Sequence, residues 1–214
     1  MRIKFLNVAL GLALTATTMS ASAQKKYTEG VVDFTTSMMG QQINAKSYFR
    51  ADSNAFAFSN GPANIKIITD ANSKSMVILV DVAVANIKKA AIASPDDIDQ
   101  AIAGMPKFTF APSTETKVIS GFNCKKVVAT DSKTSKTYDI WVTNDVEIPL
   151  AGIAKYYAGV GGFPVQYTSF SEGRSTEVTV KSVTEQKVPA GTFSIPADFE
   201  KITMDDLKAM RGGR

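Results

Sequence analysis

The sequence predicts a mainly β domain of about ten antiparallel strands with two or three short helices. Three observations carry this reading. Short runs alternate apolar and polar residues with a period of two, as half-buried strands do. Clusters of Gly, Asn, Asp and Ser interrupt those runs where a meander needs its turns. One segment, behind Ser94, opens with strong helix-start chemistry, and it interrupts the meander rather than recurring through it.

Residues 1–23 carry Arg2 and Lys4, then an apolar run from Phe5 to Ala16, then small residues ending Ala21-Ser22-Ala23 before Gln24. This is the layout of a secretory signal peptide with an A-x-A cleavage site. The apolar run is too short to span a hydrocarbon layer of ~30 Å at about 1.5 Å per residue. No Cys follows the cleavage point to accept a lipid. The expectation is a signal peptide over 1–23 and a single domain over 24–214, exported to the periplasm or secreted, with no transmembrane segment. A domain of that length buries roughly 70% of its unfolded surface and needs neither disulfide nor metal to hold together.

The first strand is read at residues 30–36 (GVVDFTT), with Val32, Phe34 and then Met38 on one face and Asp33 and Thr35 on the other. Met39-Gly40-Gln41 turns the chain. Residues 43–49 return, Ile43, Ala45, Ser47 and Phe49 alternating against Asn44, Lys46, Tyr48 and Arg50. After the turn at 51–54, Phe56 and Phe58 share a face, with Ala55 and Ala57 opposite. Asn60-Gly61-Pro62 turns again; residues 65–69 and 75–80 flank Asp70-Ala71-Asn72-Ser73 as a further hairpin, and 82–87 continue as a sixth strand.

Ser94-Pro95-Asp96-Asp97 then places a capping hydroxyl before a first-turn Pro and two acids, which the helix dipole favours. Ile98, Ala101, Ile102 and Met105 recur at helical spacing until Gly104 and Pro106 stop the run. Such an amphipathic helix needs a sheet face to bury its stripe. Extended structure resumes at 108–111.

A turn at Ser120-Gly121 leads into a hairpin of residues 122–130 and 138–143 around a polar loop at 131–136. Period two places Phe122, Cys124, Val128, Tyr138, Ile140 and Val142 on one face, with Lys126 the exception, and Trp141 on the other with Val127 and Ala129. A hairpin apolar on both sides belongs in the middle of a sheet. Leu150, Ile153, Ala154 and Tyr157 line a weaker second helix, ended by Gly159, Gly161 and Gly162. That glycine run follows a helix instead of opening one and lacks a Lys-Ser/Thr, so it does not read as a phosphate loop. Residues 163–170 and 174–183 form the last hairpin, VPAGTFSIPADFEKI runs extended, and 204–210 make a terminal helical turn behind Thr203.

The chemistry is sparse. The chain has no His, which removes the usual base for a Ser or Cys nucleophile and the commonest metal ligand. Asp96, Asp97 and Asp99 surround a helix start, where capping accounts for them, and no Ca²⁺ loop spacing is present. The expectation is no enzyme, no cofactor and no metal. Loss of Arg2 and Lys4 takes two from the formal charge of +4, leaving a near-balanced domain with no pull toward nucleic acid. The single Cys124 is a buried small hydrophobe or a reactive thiol; its parity with Phe122 favours burial.

EGVVDFTT and IKIITDANSKSMVILV resemble the opening strands of the LolA/LolB lipoprotein-carrier superfamily. TKVISGFNCKKVVA, YDIWVTNDVEIP, FPVQYTSF and FSIPADFEKI resemble an uncharacterised family of Bacteroidetes envelope proteins grouped with it. The resemblance implies a curved, unclosed antiparallel β-barrel with helices on its concave face. It also implies acyl chains held between sheet and helical lid, with an Arg late in the second strand latching the lid. Arg50 stands at a similar place, although Asp52 follows where many carriers have Pro; its other reading is an exposed strand-end side chain. The carriers lack a Cys-containing hairpin.

Candidates to line a pocket of ~300–1,000 Å³ are Met38, Phe56, Phe58, Ile98, Ile102, Phe108, Phe110 and Tyr156, with Met39, Met105 and Tyr157 nearby in the chain. The same side chains can instead fill one another's space. The function expected is an exported, non-catalytic protein that holds a lipid or the acyl chain of a lipoprotein. The alternative is an envelope interaction module with a filled core, binding a protein.

Overall fold

The computed structural model describes residues 24–38, 41–149, 155–171 and 173–212. The expected signal peptide, Met39 and the start of the second helix fall outside them. Fourteen strands lie among the described residues: β1 Lys25–Lys26, β2 Gly30–Met38, β3 Gln41–Phe49, β4 Ser53–Asn60, β5 Ala63–Asp70, β6 Met76–Val82, β7 Ile87–Ile92, β8 Phe108–Ile119, β9 Phe122–Asp131, β10 Thr137–Thr143, β11 Val146–Glu147, β12 Phe163–Ser171, β13 Arg174–Glu185 and β14 Glu200–Thr203. The α-helices are α1 Pro95–Ala103 and α2 Met204–Gly212. The excess over about ten comes from β1, β11 and β14, of two, two and four residues, too short to show a periodicity.

Twelve strands form one sheet in the order β14-β7-β6-β5-β4-β3-β2-β13-β12-β10-β9-β8. Its pairs are antiparallel except β14 with β7. The sheet does not close on itself: β8 and β14 are its two edges. β2 to β7 are a sequential meander, which the turn chemistry dictated. The chain then returns late, β13 pairing with β2, so two wings meet along that pair. Gly30 is required at this seam: a Cβ there would lie 2.2 Å from the Thr184 carbonyl and 2.9 Å from the Phe49 ring.

Register gives the meander two unlike faces. Val32, Phe34, Ala45 and Phe49 turn one face toward the main hydrophobic cluster, which continues through Ile140, Val165, Tyr167, Val178 and Val180 of the other wing. On the opposite face Ala55, Ile68, Leu79 and Ala90 are covered by Phe193, Ile195 and Phe199 of the segment between β13 and β14. That segment is a strap across the sheet. Its buried Val188 N–H donates to Glu29 Oε1 at 2.7 Å, and Arg50 lies 4.8 Å over the Phe193 ring while pairing with Glu29 at 3.4 Å.

The central hairpin departs from the expected parity. The Cα partners run Thr137 with Thr130, Ile140 with Val127 and Thr143 with Cys124, so odd positions of β9 face even positions of β10. Ile140 therefore shares its face with Val127 and Ala129, not Val128. Trp141 shares the face of Cys124, against Lys117 at 4.0 Å, on a side where Lys126 pairs with Glu115 and Asp139 at 2.9 Å each. The loop length sets this. Asp131 caps the turn by accepting from the Lys133 N–H at 3.0 Å and the Thr134 hydroxyl at 2.6 Å, and that fixes the register at an odd offset.

Helix α1 begins as expected. The Asp97 N–H donates to Ser94 Oγ at 3.2 Å and the Ser94 N–H donates to Asp97 Oδ2 at 2.9 Å, a reciprocal capping box behind Pro95. Its seat differs from expectation: Ile98 is its one buried residue and Ile102 is 50% exposed. The reason is composition. In PDDIDQAIA only two positions are large and apolar, too few to hold the helix against a sheet. Helix α2 carries the same cap, Thr203 with Asp206, and buries Leu207.

Candidate functional site

The candidate residues divide among three places. Phe108 and Tyr156 belong to an aromatic knot at the far end of the main cluster. Phe108 stacks on Tyr157 at 5.5 Å and meets Phe110, Tyr138 and Phe170. Tyr157 is fully buried and its hydroxyl donates to the Thr168 carbonyl at 2.5 Å; burial holds its phenol protonated, well above the ordinary tyrosine range. The Tyr156 hydroxyl lies 3.4 Å from Ser169 Oγ and accepts from the Phe170 N–H at 3.3 Å. These rings fill one another's space and leave little room for a guest.

Phe56 and Phe58 stand elsewhere, on the meander. Phe56 meets Phe34 at 6.1 Å and Phe58 at 5.6 Å. Ladder register extends this patch outward: Phe58 is opposite Ile65 and Ile65 opposite Val80; Phe56 is opposite Ile67 and Ile67 opposite Ile78. All six side chains share a face and are half-buried. Ile65, Ile67, Ile78 and Val80 belong to neither hydrophobic cluster among the described residues. In the next row Thr69 Oγ1 is buried without a hydrogen-bond partner. The result is an apolar stripe, one edge anchored in the core and the other reaching toward β7.

Ile98, buried, and Ile102, half exposed, belong to neither hydrophobic cluster among the described residues, and the side chain of Met38 lies outside them. Arg50 pairs with Glu29 at 3.4 Å and lies over the Phe193 ring of the strap, on the face opposite the stripe. Sequence reasoning did not single out Ile65, Ile67, Ile78 and Val80. The turn at Asn60-Gly61-Pro62 was the available signal, because a tight hairpin there brings Ile65 opposite Phe58.

No group of three or more His, Cys, Asp or Glu side chains suited to a metal occurs among the described residues. Cys124 is 2% exposed, and burial pushes its thiol up to about 11, so it stays a neutral thiol. No helix among the described residues is long and apolar enough to cross a membrane.

The model of a family described as a domain of unknown function (DUF4412) matches residues 150–199, which include Tyr156, Tyr157 and Phe170 of the aromatic knot and the strap. No curated protein matches the sequence. Among solved structures, two crystal forms of PNGF-II, in space groups C2 and P21, are similar, with TM-scores of 0.50 and 0.51 and identities of 18% and 16%. They cover 85% and 86% of this chain but 32% and 33% of theirs, so the chain spans about a third of the length of the solved structures it resembles. Likeness at this identity concerns the fold alone: a mainly β chain built on a large, mostly antiparallel, unclosed sheet.

Proposed function

We propose that this chain is an exported, non-catalytic binding protein of the bacterial envelope that holds a lipid or another apolar ligand against β4–β6, in the manner of the LolA/LolB carriers. One observation carries the reading: Phe56, Phe58, Ile65, Ile67, Ile78 and Val80 form a continuous apolar stripe, and its outer four members pack into neither core cluster. Half-buried aliphatic side chains in adjacent rows suit an alkyl chain laid across the strands. Each methylene removed from water contributes ~0.8 kcal/mol, so roughly ten supply ~8 kcal/mol before the costs of association.

The second reading, an envelope protein as partner, is favoured by the edge strand β8, whose outer side pairs with no strand among the described residues along the stretches on either side of the irregularity between Pro112 and Thr116. Native mass spectrometry of the exported protein, with lipid extraction, separates the two. A stoichiometric lipid lost in Ile67→Asn and Ile78→Asn variants supports the first. A lipid-free mass, unchanged on incubation with phospholipid or lipoprotein, overturns it.

A further inference from the structure

The strap face carries a cleft that the apolar stripe does not explain. Its volume is about 790 Å³, and Ala57, Leu79, Pro196 and Phe199 line its apolar part. Alternation directs Lys66 and Asp81 to this same face, Lys66 opposite Leu79 and Asp81 two residues further along β6. Lys181 joins from the irregularity in β13 between Val180 and Ser182.

Some of its polar groups lack a hydrogen-bond or ion-pair partner among the described residues. Lys46 pairs with Asp33 at 3.2 Å, but Lys66 and Lys181 have no ion pair or hydrogen bond among the described residues. Asp81 Oδ1 is buried without a hydrogen-bond donor. Its cross-strand neighbours supply no hydrogen bond: Lys88 directs its ammonium to Asp198 at 2.5 Å, its charge reaching Asp81 only through space, and Asn64 accepts from Ser59 Oγ at 2.7 Å. A diagonal separation of about 7–8 Å between Lys66 and Asp81 leaves room for a group between them. A buried carboxylate oxygen lacking a donor costs stability that a ligand bringing one would recover.

We infer that this cleft binds a small amphiphilic zwitterion: Lys66 and Lys181 take its anionic group, Asp81 its ammonium, and Leu79, Pro196 and Phe199 its apolar part. A simple anion meets Asp33 and Asp81, and a simple cation meets the lysines. A molecule carrying both charges close together satisfies both. The volume suits a headgroup with a short tail. The charged groups lie on the face opposite the stripe, while Phe58 and Ile65 at the end of the stripe also line the cleft, so Ile67, which does not, is the stripe residue that separates the two sites.

Isothermal titration of the full chain tests it, with a short-chain lysophosphatidylethanolamine below its micelle threshold, phosphoethanolamine alone, and dodecyl phosphate. The lysolipid is expected to bind one to one. Phosphoethanolamine binding nearly as well would identify a free headgroup as the source; much weaker binding would identify a lipid. Lys66→Met is expected to weaken the lysolipid about tenfold or more, with Lys66→Arg restoring it, and Asp81→Asn to weaken the lysolipid but not dodecyl phosphate. Ile67→Asn should change none of these. No saturable heat with any probe would overturn the inference, as would binding lost in Ile67→Asn but untouched by Lys66→Met and Asp81→Asn.

Discussion

Replacing Glu29 with Ala is expected to destabilise the fold by about 2 kcal/mol, more than replacing Arg50, although Arg50 looks like the stronger clamp. Glu29 Oε1 accepts from the Val188 N–H at 2.7 Å, and Val188 is 2% exposed. Without Glu29 that donor is left buried with no partner. Hydrogen bonds to charged groups contribute about 1.5–3 kcal/mol, and the Glu29 side chain is 33% exposed, which places the loss in the lower part of that range. Arg50→Ala removes a surface ion pair at 3.4 Å, worth about 0–1 kcal/mol, and a cation–π contact at 4.8 Å, worth about 0.5–1 kcal/mol where exposed. Glu29→Gln keeps an acceptor for Val188 and should recover about half of the loss. Urea melts with unchanged slope measure the differences; in a domain of this size 2 kcal/mol lowers Tm by about 4–8 °C. If Arg50→Ala costs as much as Glu29→Ala, or Glu29→Gln costs the same as Glu29→Ala, the strap does not hang on the Val188 bond.

Four further outcomes follow from burial and capping. Ile140→Ala, at a fully buried position, should cost about 2–5 kcal/mol by equilibrium melting, whereas Ile102→Ala, half exposed on α1, should cost under about 0.5 kcal/mol. Ser94→Ala should cost about 1 kcal/mol, read as faster amide exchange confined to the first turn of α1. The Ser94 and Thr203 hydrogen bonds hold the carboxyls of Asp97 and Asp206 below the ordinary range. Both caps therefore contribute fully above that range and weaken as pH falls below about 4, so amide protection factors in both first turns, corrected for the intrinsic pH dependence of exchange, should fall there and stay flat from pH 5 to 7. Cys124 should resist a thiol reagent at pH 8 in the folded protein and react at once in urea; prompt labelling of the native state would contradict its buried placement.

Most of the meander was legible because its turns are short and chemically explicit, Asn60-Gly61-Pro62 and Asp70 to Ser73 fixing both strand identity and register; the exception is 82–87, expected as a strand, where Ala83–Ala85 form a 3-10 turn without Gly, Pro or Asp and β7 starts only at Ile87. The α1 cap was legible because it is local. What failed was long-range or depended on an offset of one residue. Trp141 changes face because the Asp131 turn pairs Thr130 with Thr137, and alternation within either strand alone carries no information about that pairing. The partnership of β13 with β2 joins segments far apart in the chain, and nothing local encodes it. The strap beside Arg50 was not legible, because its apolar residues, Phe193, Ile195 and Phe199, belong to an extended segment with no helical spacing. The candidate list mixed aromatic residues that fill the knot with those that open the stripe, because composition does not separate a ring packed on other rings from one facing outward.

The most direct measurement is photolabelling with a diazirine-bearing fatty acid, followed by peptide mapping of the modified residues. Saturable labelling of residues 56–67 and 76–80, competed by unlabelled fatty acid and abolished in Ile67→Asn, is the result expected if the stripe holds an apolar ligand. Labelling that is unsaturable, or that falls only on the strap or the aromatic knot, would contradict it.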